Sequence, residues 1–209
     1  MTTLNKNVFK VVIIMAAWLP IIACSETALP PIQGEVLDKA TKKPLPGAIV
    51  IGRWNKNFTS IGHSSTACVH VETSITDEKG HYQFPAWEGK VPTGIDAFKT
   101  DYEVYWPTAY SATEDYKKNI YYLEPFTGTR EERLEYLKRV SGAIGCSSPG
   151  KSEKNLLPLR RALLEEVNQV ADQKSKTDVI EPFLFQVEMI ELGYEVAERR
   201  QIERLRGKK

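Results

Sequence analysis

The spacing of apolar positions along this 209-residue chain changes twice. Val11 to Ala23 is an uncharged, mostly apolar run behind a short head carrying Lys6 and Lys10. From Ile32 the period is close to two: Ile32, Gly34 and Val36 alternate with Gln33, Glu35 and Leu37, which predicts a strand. "DKATKKPLPG" then supplies turn residues, and "AIVIGRW" is a β-branched run that predicts a strand buried on at least one face. In "CVHVETSI", Val69, Val71, Thr73 and Ile75 fall on one face, and Cys68, His70, Glu72 and Ser74 on the other. "DEKG" closes a hairpin, with Gly80 suited to a positive φ, and "HYQFPAW" returns. "GIDAFKTDYEVYW" predicts one or two further strands and "KKNIYYLEPF" another.

At Thr129 the period becomes helical. Thr129 with Glu132 forms a capping box. Leu134, Leu137 and Val140 follow at helical spacing until Gly142 and Gly145. A second helix starts after the loop "CSSPGKSEKN", with Asn155 as its cap, Pro158 in its first turn and a stripe of Leu159, Leu163, Val167 and Val170. A third starts near Asp178 with a stripe of Phe183, Val187, Ile190, Tyr194 and Ala197. Such stripes are core-facing in most helices. The expected fold class is therefore α+β: a strand-rich region over residues 31–127, followed by two or three helices over residues 128–209.

The first apolar run is shorter than the roughly 20 residues that span a bilayer, and Pro20 interrupts it. A basic head, a short apolar core and a small residue read as a secretory signal peptide. Its end, Ile21-Ile22-Ala23-Cys24, resembles the bacterial lipobox. The resemblance implies residues 1–23 as a signal peptide, a diacylglycerol thioether at Cys24, and residues 24–30 as a lipidated tether that Pro30 and Pro31 keep extended. Ser25 after the cysteine resembles the signal for the outer membrane of Gram-negative bacteria, which implies a periplasm-facing lipid anchor.

The order of Ile32, Gly34, Val36, Asp38, Thr41, Lys43, Pro44, Leu45, Pro46, Gly47, Ala48, Val50, Thr76, Asp77, Gly80, Tyr82 and Phe84 resembles the carboxypeptidase regulatory-like domain. That family implies a transthyretin-like, seven-stranded Greek-key sandwich. It covers under half of the mature chain, and its matching positions are turn and core residues. "GHSSTACVHVE" departs from the pattern by lengthening the region before the third strand.

The charge balance, 28 basic against 27 acidic residues, offers no field for nucleic acid. Two cysteines remain beside Cys24, and in an oxidising compartment Cys68 and Cys146 are expected to pair. The strand phase turns Cys68 outward, where a helix packed on the sandwich would bring Cys146 to it. The competing readings are two free thiols, or a metal held by Cys68 with His70, and with His63 and His81 nearby. That spacing matches no common metal motif, and no G-x-S-x-G, H-E-x-x-H or phosphate loop occurs. No cofactor and no catalytic residue are assigned. Trp87, Tyr105, Trp106 and Tyr110 lie near strand ends, where aromatics either fill the sandwich or meet a protein or glycan partner. The basic tail "ERRQIERLRGKK" reads as a solvated helix end or a contact with an anionic surface. The expectation is a non-enzymatic envelope binding or scaffold lipoprotein. The alternatives are an immunity lipoprotein that neutralises an envelope-targeting toxin, or a metal-dependent enzyme.

Overall fold

The computed structural model describes residues 31–88, 90–105, 118–146, 151–172 and 176–207. Within them the chain is α+β, with two three-stranded sheets followed by four α-helices. In the first sheet β1 (Ile32–Asp38) lies centrally. The second has β2 (Ile49–Ser60) at its centre, paired antiparallel with β3 (His63–Ile75) on one side. β4 (His81–Phe84) pairs antiparallel with β1, β5 (Gly94–Phe98) antiparallel with β2, and β6 (Ile120–Leu123) parallel with β1. The described residues thus hold six strands, against the seven that the family resemblance implies, and one pairing is parallel.

The residues carrying that resemblance build one turn network. Asp38 Oδ1 accepts from Thr41 N at 2.6 Å and from Thr41 Oγ1 at 2.9 Å. These bonds favour its charged form and hold its carboxyl below the usual range. Leu45 N donates to Val36 O at 3.0 Å. Thr76 Oγ1 donates to Leu45 O at 2.5 Å and accepts from Ala48 N at 2.8 Å, so one hydroxyl ties the β1–β2 loop to the end of β3. Asp77 Oδ1 accepts from Lys79 N and His81 N, closing the β3–β4 turn. Gly80 there has φ +75°, and a Cβ would stand 2.6 Å from Val36 O.

Strand alternation sorts the apolar side chains into two cores. Val36, Val50, Tyr82, Phe84, Ile95, Ala97, Tyr121 and Leu123 fill the space between the sheets. Ile49, Ile51, Val71 and Phe98 face the opposite way, onto the helices. The expected phase of β3 is corrected here. Trp54 pairs with His70 and Asn55 with Cys68, so Val69 is a bulged extra residue. The bulge puts Cys68 and Val71 together in the helix-facing core and leaves the His70 ring on the other face, against Trp54 and Trp87. Val71 does not face the sheet–sheet interior, and Ile75 is exposed.

Helix α1 (Arg130–Ala143) begins with the capping box, Thr129 accepting from Glu132 N and Glu132 from Thr129 N. A short 3-10 helix (Lys151–Leu156) leads into α2 (Leu157–Val170). Asn155 is not the cap of α2. It lies in the 3-10 helix, where its Nδ2 donates to Val71 O and its carbonyl accepts from Thr73 Oγ1, covering the outer edge of β3. α1 and α2 close each other's C-termini. Arg160 of α2 donates to Ser141 O at 2.7 Å and Ile144 O at 2.6 Å, and Arg130 of α1 to Gln169 O and Val170 O at 3.1 Å. The third expected helix is two: α3 (Lys176–Leu192) and α4 (Tyr194–Arg206), broken at Gly193 with φ +88°. The break divides the expected stripe, so Phe183, Val187 and Ala197 are buried while Tyr194 is exposed.

Candidate functional site

The two halves are joined covalently. Cys68 on β3 and Cys146 just beyond α1 form a disulfide, which rules out both free thiols and a metal on Cys68. Beside it, Arg160 is buried against the α1 carbonyls, and desolvation lowers its pKa. The pairing follows from the bulge at Val69, which aims Cys68 at the helices.

A second joint is ionic. Arg133 of α1 and Glu166 of α2 are both nearly inaccessible, and Arg133 Nε and Nη2 each stand 2.6 Å from Glu166 Oε1. Arg133 Nη1 donates to Tyr102 O at 2.8 Å, and Asp101 N donates to Glu166 Oε1 at 3.2 Å. The guanidinium also lies over the rings of Phe126, at 4.9 Å, and Tyr136, at 5.3 Å. The pair therefore fixes both helices to the turn after β5. Under the helices, Arg53 also grips Asp96, Nε to Oδ2 at 2.7 Å. Burial outweighs that cation and pushes the Asp96 carboxyl up to about 6. The C-terminal tail is only partly a solvated end, since Arg204 of α4 reaches both Glu181 and Glu188 of α3.

Trp87, an aromatic singled out in the sequence, stacks on His70 with ring centroids 4.7 Å apart and planes 7° apart. Trp54 lies 5.2 Å from His70, and His70 Nε2 is 2.8 Å from Glu72 Oε1. Trp54 Nε1 donates to Lys90 O, which fixes the indole. Tyr105 packs on Tyr121 at 4.8 Å, on the flank of the sheet–sheet core. Trp87 and Tyr105 are thus not brought into one surface. Cys24, Trp106 and Tyr110 lie outside the described residues.

An open groove of about 720 Å³ runs along the outer side of β1 and β4 to the end of β3. Glu35, Asp77 and His81 line its polar wall, and Ile75 and Ile120 its apolar patches. His81 Nε2 is 3.3 Å from Glu35 Oε1, and His81 Nδ1 is 3.7 Å from Asp77 Oδ2. The bond from His81 N to Asp77 Oδ1 leads the interactions that hold this carboxyl below its usual range. Acceptors and a donor thus alternate along this open cleft. Sequence reasoning missed the groove because it weighed the histidines only as metal ligands. The alternation that turns Glu35, His81 and Gln83 outward was the signal available. Among the described residues, no group of three or more His, Cys, Asp or Glu is placed to hold a metal ion. No family model, curated protein or solved structure matches the chain.

Proposed function

We propose that this chain is a lipoprotein of the bacterial envelope, anchored through Cys24 at the outer membrane, which binds a protein or glycan partner without transforming it. In this reading the β-rich half is a variant of the transthyretin-like carboxypeptidase regulatory fold. Support comes from the turn network of Asp38, Thr41, Thr76, Asp77 and Gly80, where the positions of the resemblance meet physically. The observation that carries the compartment is the Cys68–Cys146 bond. Disulfides persist outside reducing compartments, in accord with the lipobox-type run that precedes the fold. The partner's place is the groove beside β4, whose Glu35, His81 and Gln83 offer hydrogen bonds to a polar chain and whose Ile75 offers an apolar foothold.

Two experiments test the reading. Cys24→Ser is expected to block signal cleavage and lipid attachment; a variant still cleaved and still held in membranes refutes the anchor. A photocrosslinking residue at Ile75 is expected to capture one envelope species that the same residue at Glu135, on an exposed face of α1, does not. Identical capture at both positions, or none at either, refutes the groove.

A further inference from the structure

Beyond the bulge, β2 and β3 leave the body. Asn55 to Ser60 pair with His63 to Cys68, and residues 56–66 are exposed on both faces. At about 3.3 Å per residue this two-stranded arm projects roughly 20 Å. Such a hairpin gains little from burial in water, so its composition points to its use. Its flanks carry Asn, Ser and Thr, which bond locally, as Thr66 Oγ1 does to Asn57 Oδ1 at 2.8 Å. Its apolar atoms gather at the tip. Ile61, in the turn beside Gly62 at φ +79°, is fully exposed at 107%, and Phe58 is 47% exposed. Lys56 lies over the Phe58 ring, 5.8 Å from its centroid. From Asn55 to Cys68 the arm has no acidic residue, although the chain has 27.

The arm shares an end of the body with the start of β1. Ile32, the first residue of β1, pairs with Phe84. Phe84 lies against Gly52 and 6.5 Å from Trp54, at the arm's base. The other end of β1, at Asp38, sits with the loop that precedes β2. β1 thus enters where β2 departs. Only eight positions separate Cys24 from Ile32, a reach of at most about 28 Å, comparable to the arm.

We propose that the tip of the β2–β3 arm, through Phe58 and Ile61, dips into the lipid surface to which the chain is anchored, with Lys56 at the headgroup level. This rests on the anchor reading for the position of the bilayer, while the tip chemistry stands by itself. Apolar side chains at a turn, flanked by a cation and free of acids, suit an anionic headgroup layer over hydrocarbon. A partner adding a strand would instead use the flanks, where apolar atoms are few. The apolar tip also recovers in lipid the burial that water denies it.

The test places a photocrosslinking residue at position 61 of the full chain, expressed in a bacterial host and irradiated in intact envelopes. Lys79, in the exposed β3–β4 turn at the far end, is the control position. A lipid adduct at 61 and none at 79 is expected, and Phe58→Asp should lower its yield several-fold. A protein adduct at 61, no adduct, or equal lipid adducts at both positions overturns the proposal. The N-terminal mass of the same sample reports separately on Cys24. A missing diacylglyceryl group sinks the anchor reading without altering what position 61 touches. Ile61 packs on nothing, so its replacement leaves the body intact; retention of the Cys68–Cys146 bond checks this.

Discussion

Replacing Glu166 with glutamine is the sharpest way to test what joins the helices to the sheets. The change is nearly isosteric and preserves an acceptor for Asp101 N. What it removes is the charge facing Arg133, whose side chain is 5% exposed. Arg133 keeps a neutral amide oxygen, the Tyr102 carbonyl and two ring faces, none of which neutralises it. Stranding one member of a buried pair costs about 3–5 kcal/mol, a large part of the roughly 5–15 kcal/mol that stabilises a typical domain. The exposed pair Lys138–Glu135, also 2.6 Å apart, serves as the control, and Glu135→Gln should cost less than about 1 kcal/mol. Urea melts followed by far-UV circular dichroism give both numbers. The double variant Arg133→Met, Glu166→Leu should recover most of the loss, because no charge is then left buried. A Glu166→Gln cost below about 1 kcal/mol at unchanged m-value refutes the argument, as does a double variant no better than the single one.

Removing the disulfide by Cys68→Ala with Cys146→Ala opens a loop of 78 residues. It should cost about 2–4 kcal/mol and expose the helical half to protease; a loss below about 1 kcal/mol in urea melts refutes it. Asp96 binds its proton more tightly when folded, at about 6 against an ordinary 3.8. Its contribution to stability is therefore full below about pH 4 and lost as pH rises through about 6. Asp96→Asn should flatten that segment of the stability–pH profile between pH 4 and 7, and an unchanged slope contradicts the assignment. Gly80→Ala meets both a positive φ and Val36 O, so thermal melts should show at least about 1–2 kcal/mol of destabilisation; a neutral substitution refutes it.

Local chemistry was readable wherever one short segment decided the outcome. The capping box at Thr129 and Glu132, the Gly80 turn and the change from strand to helix period all lie within a few residues of their causes. The Cys68–Cys146 pairing was reached through cysteine number and the outward turn of Cys68. The assumed phase of β3 was nevertheless wrong, because a single bulged residue at Val69 resets every side chain beyond it, and alternation alone cannot locate such a bulge. β2 was read as ending near Trp54. Its continuation to Ser60 is exposed on both faces with Phe58 as its one apolar residue, so the sequence carries no burial pattern to announce it. Arg133, Glu166 and Arg160 are not singled out by the helical stripes. Their burial depends on partners distant in sequence, which periodicity does not register. In the candidate site, Trp87 was singled out but His70 was not seen as its stacking partner, since the two meet only after the sheets assemble.

The parallel pairing of β1 with β6 has a consequence for how the molecule is made. Glu35 meets Ile120 and Asp38 meets Leu123, so β1, first of these strands along the chain, waits for the last one. Meanwhile the β2–β3 hairpin, linked by a two-residue turn, forms from neighbours. Closing the long span between β1 and β6 is entropically slow, and until it closes one edge of β1 stays bare. The central strand of the finished sheet is thus an edge strand until β6 docks, open to pairing with other chains. The helices, which follow β6 in sequence, cannot shield it in that interval. Until Leu123 docks beside Asp38, that bare edge is where the folding chain is open to others.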